Sequence, residues 1–104
     1  MPRYRRCREK FQSALRRLAV AEGDVRERLR GAHWFLRQLS EHEIPPELRK
    51  EWTEVLQLLT ARGPDVAPDG TVYSNAVVHT LSGMRNSTGR RIAERIYMMV
   101  RALG

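Results

Sequence analysis

Cysteine is nearly absent from this sequence, since Cys7 is the only one in 104 residues. A disulfide framework within the chain and a cysteine-based zinc cluster are therefore excluded. Apolar runs are short, and none approaches the roughly 18 residues that a membrane-spanning helix needs. The basic N-terminus is not followed by the uninterrupted apolar segment of a secretory signal. The sequence therefore predicts a cytoplasmic protein without a membrane segment.

Motifs of catalysis are missing as well. Neither a nucleophile elbow of the Gly-x-Ser-x-Gly type nor a glycine-rich phosphate loop with its lysine occurs. No two of the three histidines stand three or four residues apart, the spacing that would place both on one helix face. Glu41-His42-Glu43 has the residue types of a metal site, but consecutive residues point in different directions. We expect no enzyme activity, no catalytic residue, no metal site and no cofactor.

Acidic residues are in the minority, with 12 against 19 lysines and arginines, and the net charge is +7. Residues 1–30 carry ten basic and four acidic groups, residues 31–69 four and seven, and residues 70–104 five and one. The basic ends can therefore pair with the acidic middle or form a basic face together. Seventeen of the 19 are arginines, which bind phosphate and carboxylate through two parallel hydrogen bonds. A genomic preference for arginine codons is an equally good explanation of that number.

Apolar residues recur at three- and four-residue steps along most of the chain, which is the period of amphipathic helices. Residues 62–71 hold two prolines and two glycines and are predicted to form the one substantial loop. Thr71-Val72-Tyr73 alternates like a strand but is too short to predict one. The predicted helices cover residues 3–21, 25–40 and 46–61, followed by the segment 72–103.

The segment 72–103 holds the longest apolar stripe, with one polar interruption. A single continuous helix would be ~48 Å long at ~1.5 Å per residue. We prefer a break at Asn86-Ser87-Thr88-Gly89, because these residues are poor in helix interiors and the first three are good N-caps. The chain is thus predicted to be one all-α domain over residues 1–104, a small antiparallel bundle of four to five helices.

The same interruption supplies the candidate binding site. A helix that begins there would present free backbone N–H groups and the positive end of its dipole. Gly89 would let an anion approach the backbone, and Arg90 and Arg91 would hold phosphate, sulfate or an acidic side chain. The alternative is a capped turn whose arginines point to solvent or pair with Glu94. The predicted anion-binding residues are Asn86, Ser87, Thr88, Gly89, Arg90 and Arg91.

Five further side chains bear on function. His33 and His79 are each predicted to be half-buried, with their hydrogen bonds satisfied. Cys7 and Trp52 lie on apolar stripes and are predicted to be core residues. Trp34 lies beside a stripe, so we expect it at a rim or as an interface anchor, a position in which tryptophan is enriched.

Two functions of different class are compatible with these features. The preferred one is a non-enzymatic helical interaction module that forms a homodimer and docks an acidic partner through its basic ends. The homodimer is expected because the chain is too small to cover its C-terminal stripe alone. The alternative is a nucleic-acid-associated protein that contacts phosphates through the first helix and residues 85–95. A contiguous basic face would favour nucleic acid, and arginines neutralised by the acidic third helix would favour the interaction module.

Overall fold

Residues 3–104, which the computed structural model describes, form five α-helices, one 3-10 turn and a two-stranded hairpin. The predicted all-α class and small helical bundle are confirmed, since 69% of the residues are helical. No helix within residues 3–104 is long and apolar enough to cross a membrane. The elements are α1 (Arg5–Val20), α2 (Val25–Leu36), the 3-10 turn (Glu41–Glu43), α3 (Pro46–Leu59), β1 (Asp65–Val66), β2 (Val72–Ser74), α4 (Ala76–Ser82) and α5 (Asn86–Leu103).

Polar caps and a proline set three of the helix starts. The Asp24 carboxylate accepts two backbone N–H groups from the first turn of α2. Pro46 is the first residue of α3, where its missing N–H costs no hydrogen bond. The cap of α4 is Asn75, whose side chain accepts a backbone N–H at 2.9 Å. Asp69, in the preceding loop, accepts the N–H of Thr71.

The apolar stripes of α1, α2, α3 and α5 meet in one core. Cys7 is fully buried and Trp52 is 9% exposed, which confirms both as core residues. Burial raises the pKa of the Cys7 thiol to about 11, so this thiol stays protonated at neutral pH. The Trp52 Nε1–H donates to the carbonyl of Leu36, the last residue of α2, at 3.1 Å. The largest fully buried side chains are those of Phe11, Leu29, Leu36, Ile44, Leu59, Ile96, Met99, Val55 and Cys7.

The C-terminal stripe is covered within the chain. Helix α5 packs against α1, α2 and α3, and its residues Ile92, Ile96 and Met99 are at most 3% exposed. The argument that a second chain must cover this stripe is therefore wrong. Tyr97 and Met98 leave 45% and 53% of their surfaces exposed on the outer side of α5. The homodimer stays a prediction, with these two side chains as its remaining support.

The long apolar segment is two helices, but the break lies earlier than predicted. Helix α4 ends before Gly83, α5 begins at Asn86, and Ser87 to Gly89 are helical. Gly89 is buried where α5 meets α2, and a Cβ atom at this position would lie 3.0 Å from Val25 Cγ1. The close contact between the two helices therefore outweighs the poor helix propensity of these residues.

A small hairpin occupies the region that was predicted to be a loop. β1 pairs antiparallel with β2, and Asp65 lies opposite Ser74 with an irregular register beside it. The strands were not predicted, because segments of two and three residues are too short for a pattern of alternation to show. Val72 and Tyr73 are 59% and 71% exposed on this hairpin.

Ion pairs join the basic ends of the chain to its acidic middle. Arg95 of α5 donates from Nε to Glu51 of α3 at 3.0 Å and from Nη2 to Glu54 at 2.6 Å. The hydrogen bond from Arg95 lowers the pKa of the Glu51 carboxyl, and the same contact raises the pKa of the Arg95 guanidinium. Arg6 of α1 pairs with Glu43 at 3.0 Å. The acidic middle thus neutralises Arg6 and Arg95 and leaves other arginines without a carboxylate.

Candidate functional site

An open groove of about 610 Å³ lies along the outward side of α2. Helix α1 contributes Arg17 to it, the end of α3 contributes Thr60, and the start of α4 contributes residues 75–77. Four elements that are distant in sequence therefore form one concave surface. We call this surface the α2 groove, and it is lined by Arg17, Glu27, Arg30, Gly31, His33, Trp34, Arg37, Thr60, Asn75, Ala76 and Val77.

The α2 groove is lined by three arginines and a single carboxylate, that of Glu27. Arg17, Arg30 and Arg37 make no ion pair with any carboxylate of residues 3–104. Arg30 lies on α2 and Arg37 is the residue that follows its last turn. The two are about two helical turns apart, about 10 Å at ~1.5 Å per residue. Unpaired guanidinium groups at this spacing present an extended row of hydrogen-bond donors to an anionic chain.

Trp34 is the large apolar side chain that the α2 groove exposes. Its relative exposure is 57%, which confirms the expectation that it lies outside the core. The Arg37 guanidinium carbon lies 5.2 Å from the centroid of the indole ring, within range of a cation–π contact. Its role as an interface anchor stays a prediction. An exposed indole between cationic groups can stack on a flat ligand group while the cations hold its charge.

His33 faces the α2 groove from the core side. Only 9% of its surface is exposed, and its ring makes no hydrogen bond within residues 3–104. The predicted half-burial is therefore wrong for His33, although neither of its ring nitrogens is buried without a partner. The prediction is confirmed for His79, which is half-buried with Nδ1 3.0 Å from the carbonyl oxygen of Gly63. Burial, and secondarily the charge of Arg37, lower the pKa of the His33 imidazole, so the ring is neutral at pH 7.

A second cavity of about 430 Å³ continues the α2 groove towards α3. It shares His33, Arg37 and Thr60 with the groove. Its other lining residues are Leu39, Trp52, Thr53, Leu56 and Gln57. His33 therefore borders both cavities, and a ligand that extends beyond one of them passes its ring.

Because burial lowers the pKa of His33, we expect a pH-dependent stability. The unfolded chain binds a proton at His33 below pH 6.5, whereas the folded chain does not until the pH reaches the lower folded pKa. The free energy of unfolding should therefore fall as the pH is lowered from 6.5 towards 5. Carboxyls of lowered pKa, such as those of Asp24 and Glu51, change the pH dependence of stability only near and below about pH 4.5.

Urea unfolding at pH 7 and pH 5.5 measures this effect. His33→Gln should lose most of the difference between the two pH values. His42→Gln, which changes an exposed histidine, is the matched control and should keep the difference. Equal pH dependence in the parent chain and in His33→Gln would contradict the assignment to His33.

The predicted anion site at Asn86–Arg91 forms the first turns of α5. Arg85 occupies the N-cap position without a side-chain cap. The Gly89 N–H donates to the Arg85 carbonyl at 3.0 Å, and Gly89 packs on α2, so Gly89 does not face an anion. Arg90 and Arg91 are exposed and make no ion pair within residues 3–104. Anion binding by this segment stays a prediction, resting on the free N–H groups and these two arginines.

The residues of the α2 groove were not combined by the sequence reasoning. Arg30, Trp34 and Arg37 follow one another at four and three residues, which is a signal for a shared helix face. Arg17 and Thr60 carry no such signal, because only the packing of α1 and α3 on α2 brings them there. His33 was predicted to be half-buried, with its hydrogen bonds satisfied, and was not connected with this face.

Comparison of the chain with protein-family models, curated proteins and solved structures finds no match. Across residues 3–104 no group of three or more histidine, cysteine, aspartate or glutamate side chains could hold a metal ion. The α2 groove is the concave surface that gathers the unpaired arginines and the exposed indole. Its guanidinium groups, exposed indole and uncharged imidazole can bind an anionic, partly flat ligand.

Proposed function

We propose that the protein is a non-enzymatic, cytoplasmic helical interaction module that docks an acidic partner in the α2 groove. The observation that carries this proposal is the gathering of Arg17, Arg30 and Arg37 around Trp34, with no ion pair to any of them. Desolvating a guanidinium group is unfavourable unless an anion replaces the water, so a groove of unpaired arginines favours an acidic occupant. Tryptophan and arginine are also the residues most enriched at binding hot spots.

The alternative surface, α1 together with residues 85–95, is less well supported as a phosphate-binding face. Arg95 is engaged by Glu51 and Glu54, and Arg6 by Glu43. Arg85, Arg90 and Arg91 make no ion pair within residues 3–104, so a weaker anion site there remains part of the prediction. Homodimer formation is a separate prediction, and docking in the α2 groove does not depend on it.

Titration with poly-L-glutamate tests the proposal. At low ionic strength we expect the parent chain to bind it, and binding should weaken as salt is added, because the contacts are between exposed charges. Arg30→Gln with Arg37→Gln should weaken binding by about tenfold, since two charge-assisted contacts are lost. Binding is measured by the anisotropy of a fluorescein label on the poly-L-glutamate.

The matched control is Arg90→Gln with Arg91→Gln, which removes the same charge outside the α2 groove. It should weaken binding much less than the groove variant does. Equal losses in the two variants would show that net charge alone matters and would overturn docking in the groove. A loss confined to the control variant would place the acidic partner at the start of α5 instead.

A further inference from the structure

The lining of the α2 groove does not suit a protein segment. An amphipathic helix or extended peptide needs a row of apolar anchor pockets, and the centre of a protein interface is depleted in charge. Trp34 is the one large exposed apolar side chain among the lining residues. Val77, the other large apolar lining residue, is only 8% exposed. The remaining lining is charged, polar or small, so a protein partner would find a single anchor.

The same lining suits a chain of alternating phosphates and flat rings. Every nucleobase has a π face that can stack on an exposed indole, whatever the sequence. Arg30 lies one turn before Trp34 on α2 and Arg37 three residues after it, so cations stand on both sides of the ring along the helix. The planar guanidinium group of arginine also binds phosphate through two hydrogen bonds and can itself stack on bases.

His33 is the second, independent sign of a ligand. Its imidazole is nine-tenths buried and borders the groove, and no group of residues 3–104 bonds its ring nitrogens, which are therefore open to solvent or to a ligand. A neutral imidazole offers one donor and one acceptor. A base edge or a sugar hydroxyl in the groove could satisfy both, whereas a bare carboxylate could take only the donor.

On the basis of the proposed function, we propose that the acidic partner is a single-stranded nucleic acid. It lies in the α2 groove with a base against Trp34 and its phosphates on Arg17, Arg30 and Arg37. A duplex is excluded from this mode, because its bases are already stacked on one another and an indole can reach only an unpaired base.

Three labelled probes separate base stacking from charge. They are an oligo-dT of about 12 nucleotides, within the usual range of single-strand site sizes, an abasic strand of the same length, and poly-L-glutamate of matched charge. We expect the parent chain to bind oligo-dT about tenfold or more tighter than the abasic strand, because the base adds stacking. Duplex DNA of the same length should bind no better than the abasic strand.

Variants assign the gain to the groove. Trp34→Leu should reduce oligo-dT binding to the level of the abasic strand, and Trp34→Phe should keep most of the difference. Tyr97→Leu is the control, because it removes a 45% exposed ring outside the groove. Arg30→Gln with Arg37→Gln should also make the slope of log Kd against log salt shallower by about 1.4, at ~0.7 per phosphate contact. Circular dichroism of each variant confirms that the fold is kept.

The outcomes distinguish the two proposals. Equal binding of oligo-dT and the abasic strand, or tighter binding of duplex DNA or of poly-L-glutamate, would overturn the single-strand inference and leave an acidic partner in the groove. Loss of the oligo-dT preference in Tyr97→Leu instead of Trp34→Leu would also overturn it. Absence of binding by every probe, or binding that does not change in the Arg30 and Arg37 variant, would overturn the proposed function itself.

Discussion

Replacement of Leu59 by alanine is expected to lower the free energy of unfolding by about 2–5 kcal/mol. Leu59 is fully buried at the end of α3, so the truncated side chain leaves a cavity that the surrounding helices can fill only in part. Such a loss is a large share of the roughly 5–15 kcal/mol by which domains are stable. Urea unfolding followed by far-ultraviolet circular dichroism measures it as a lower midpoint at constant slope.

The neighbouring residue provides the control for Leu59. Leu58 is 39% exposed on the same helix, and Leu58→Ala makes the same chemical change. We expect it to cost much less than Leu59→Ala, because more than a third of the Leu58 surface already contacts water. Similar losses in the two variants would contradict the packing of α3 described above.

Replacement of Gly89 by valine is expected to destabilise the chain by about 1–3 kcal/mol, although valine is a better helix former than glycine. A Cβ atom at position 89 would lie 3.0 Å from Val25 Cγ1 and 3.4 Å from Leu29 Cδ1. The added side chain must therefore push α5 away from α2. Thermal or urea unfolding monitors the change.

Two further variants isolate this contact. Ser87→Val, at an exposed position of the same helical turn, should change the stability by no more than about 0.5 kcal/mol. Gly89→Val combined with Val25→Ala should be less destabilised than the sum of the single variants, because the second change makes room for the first. A neutral or stabilising Gly89→Val would show that the two helices do not meet as closely as described.

The helices were predictable because their signals are local and repeated. The apolar stripes of α1, α2 and α3 repeat every three or four residues. Asp24 and the proline at the start of α3 each stand directly at the helix start that they stabilise. The break before α5 was misplaced because Asn86 to Gly89 have low helix propensity, whereas Gly89 owes its position to Val25 and Leu29, some 60 residues away. Propensity says nothing of contacts at that separation.

The candidate site was less predictable than the fold. Trp34 was expected to be exposed, and it is, but the sequence does not show which outward helix face becomes a groove. The groove forms only because tertiary packing brings Arg17, Thr60 and the start of α4 next to α2. The surplus of arginine is evident from the sequence. Only the structure shows that the acidic middle pairs with Arg6 and Arg95 and leaves the arginines of the α2 groove without an ion pair.

The two tryptophans differ in their exposure to solvent, so their fluorescence can report two different properties of the molecule. Trp52 is only 9% exposed, and its indole N–H donates to the Leu36 carbonyl, so we expect its emission to follow the folding of the bundle. Trp34 is 57% exposed, so we expect its emission to be red-shifted and accessible to soluble quenchers. The quenchable part of the fluorescence thus reports occupancy of the α2 groove, while the protected part reports folding. Unlabelled protein can therefore be followed for both properties in one cuvette.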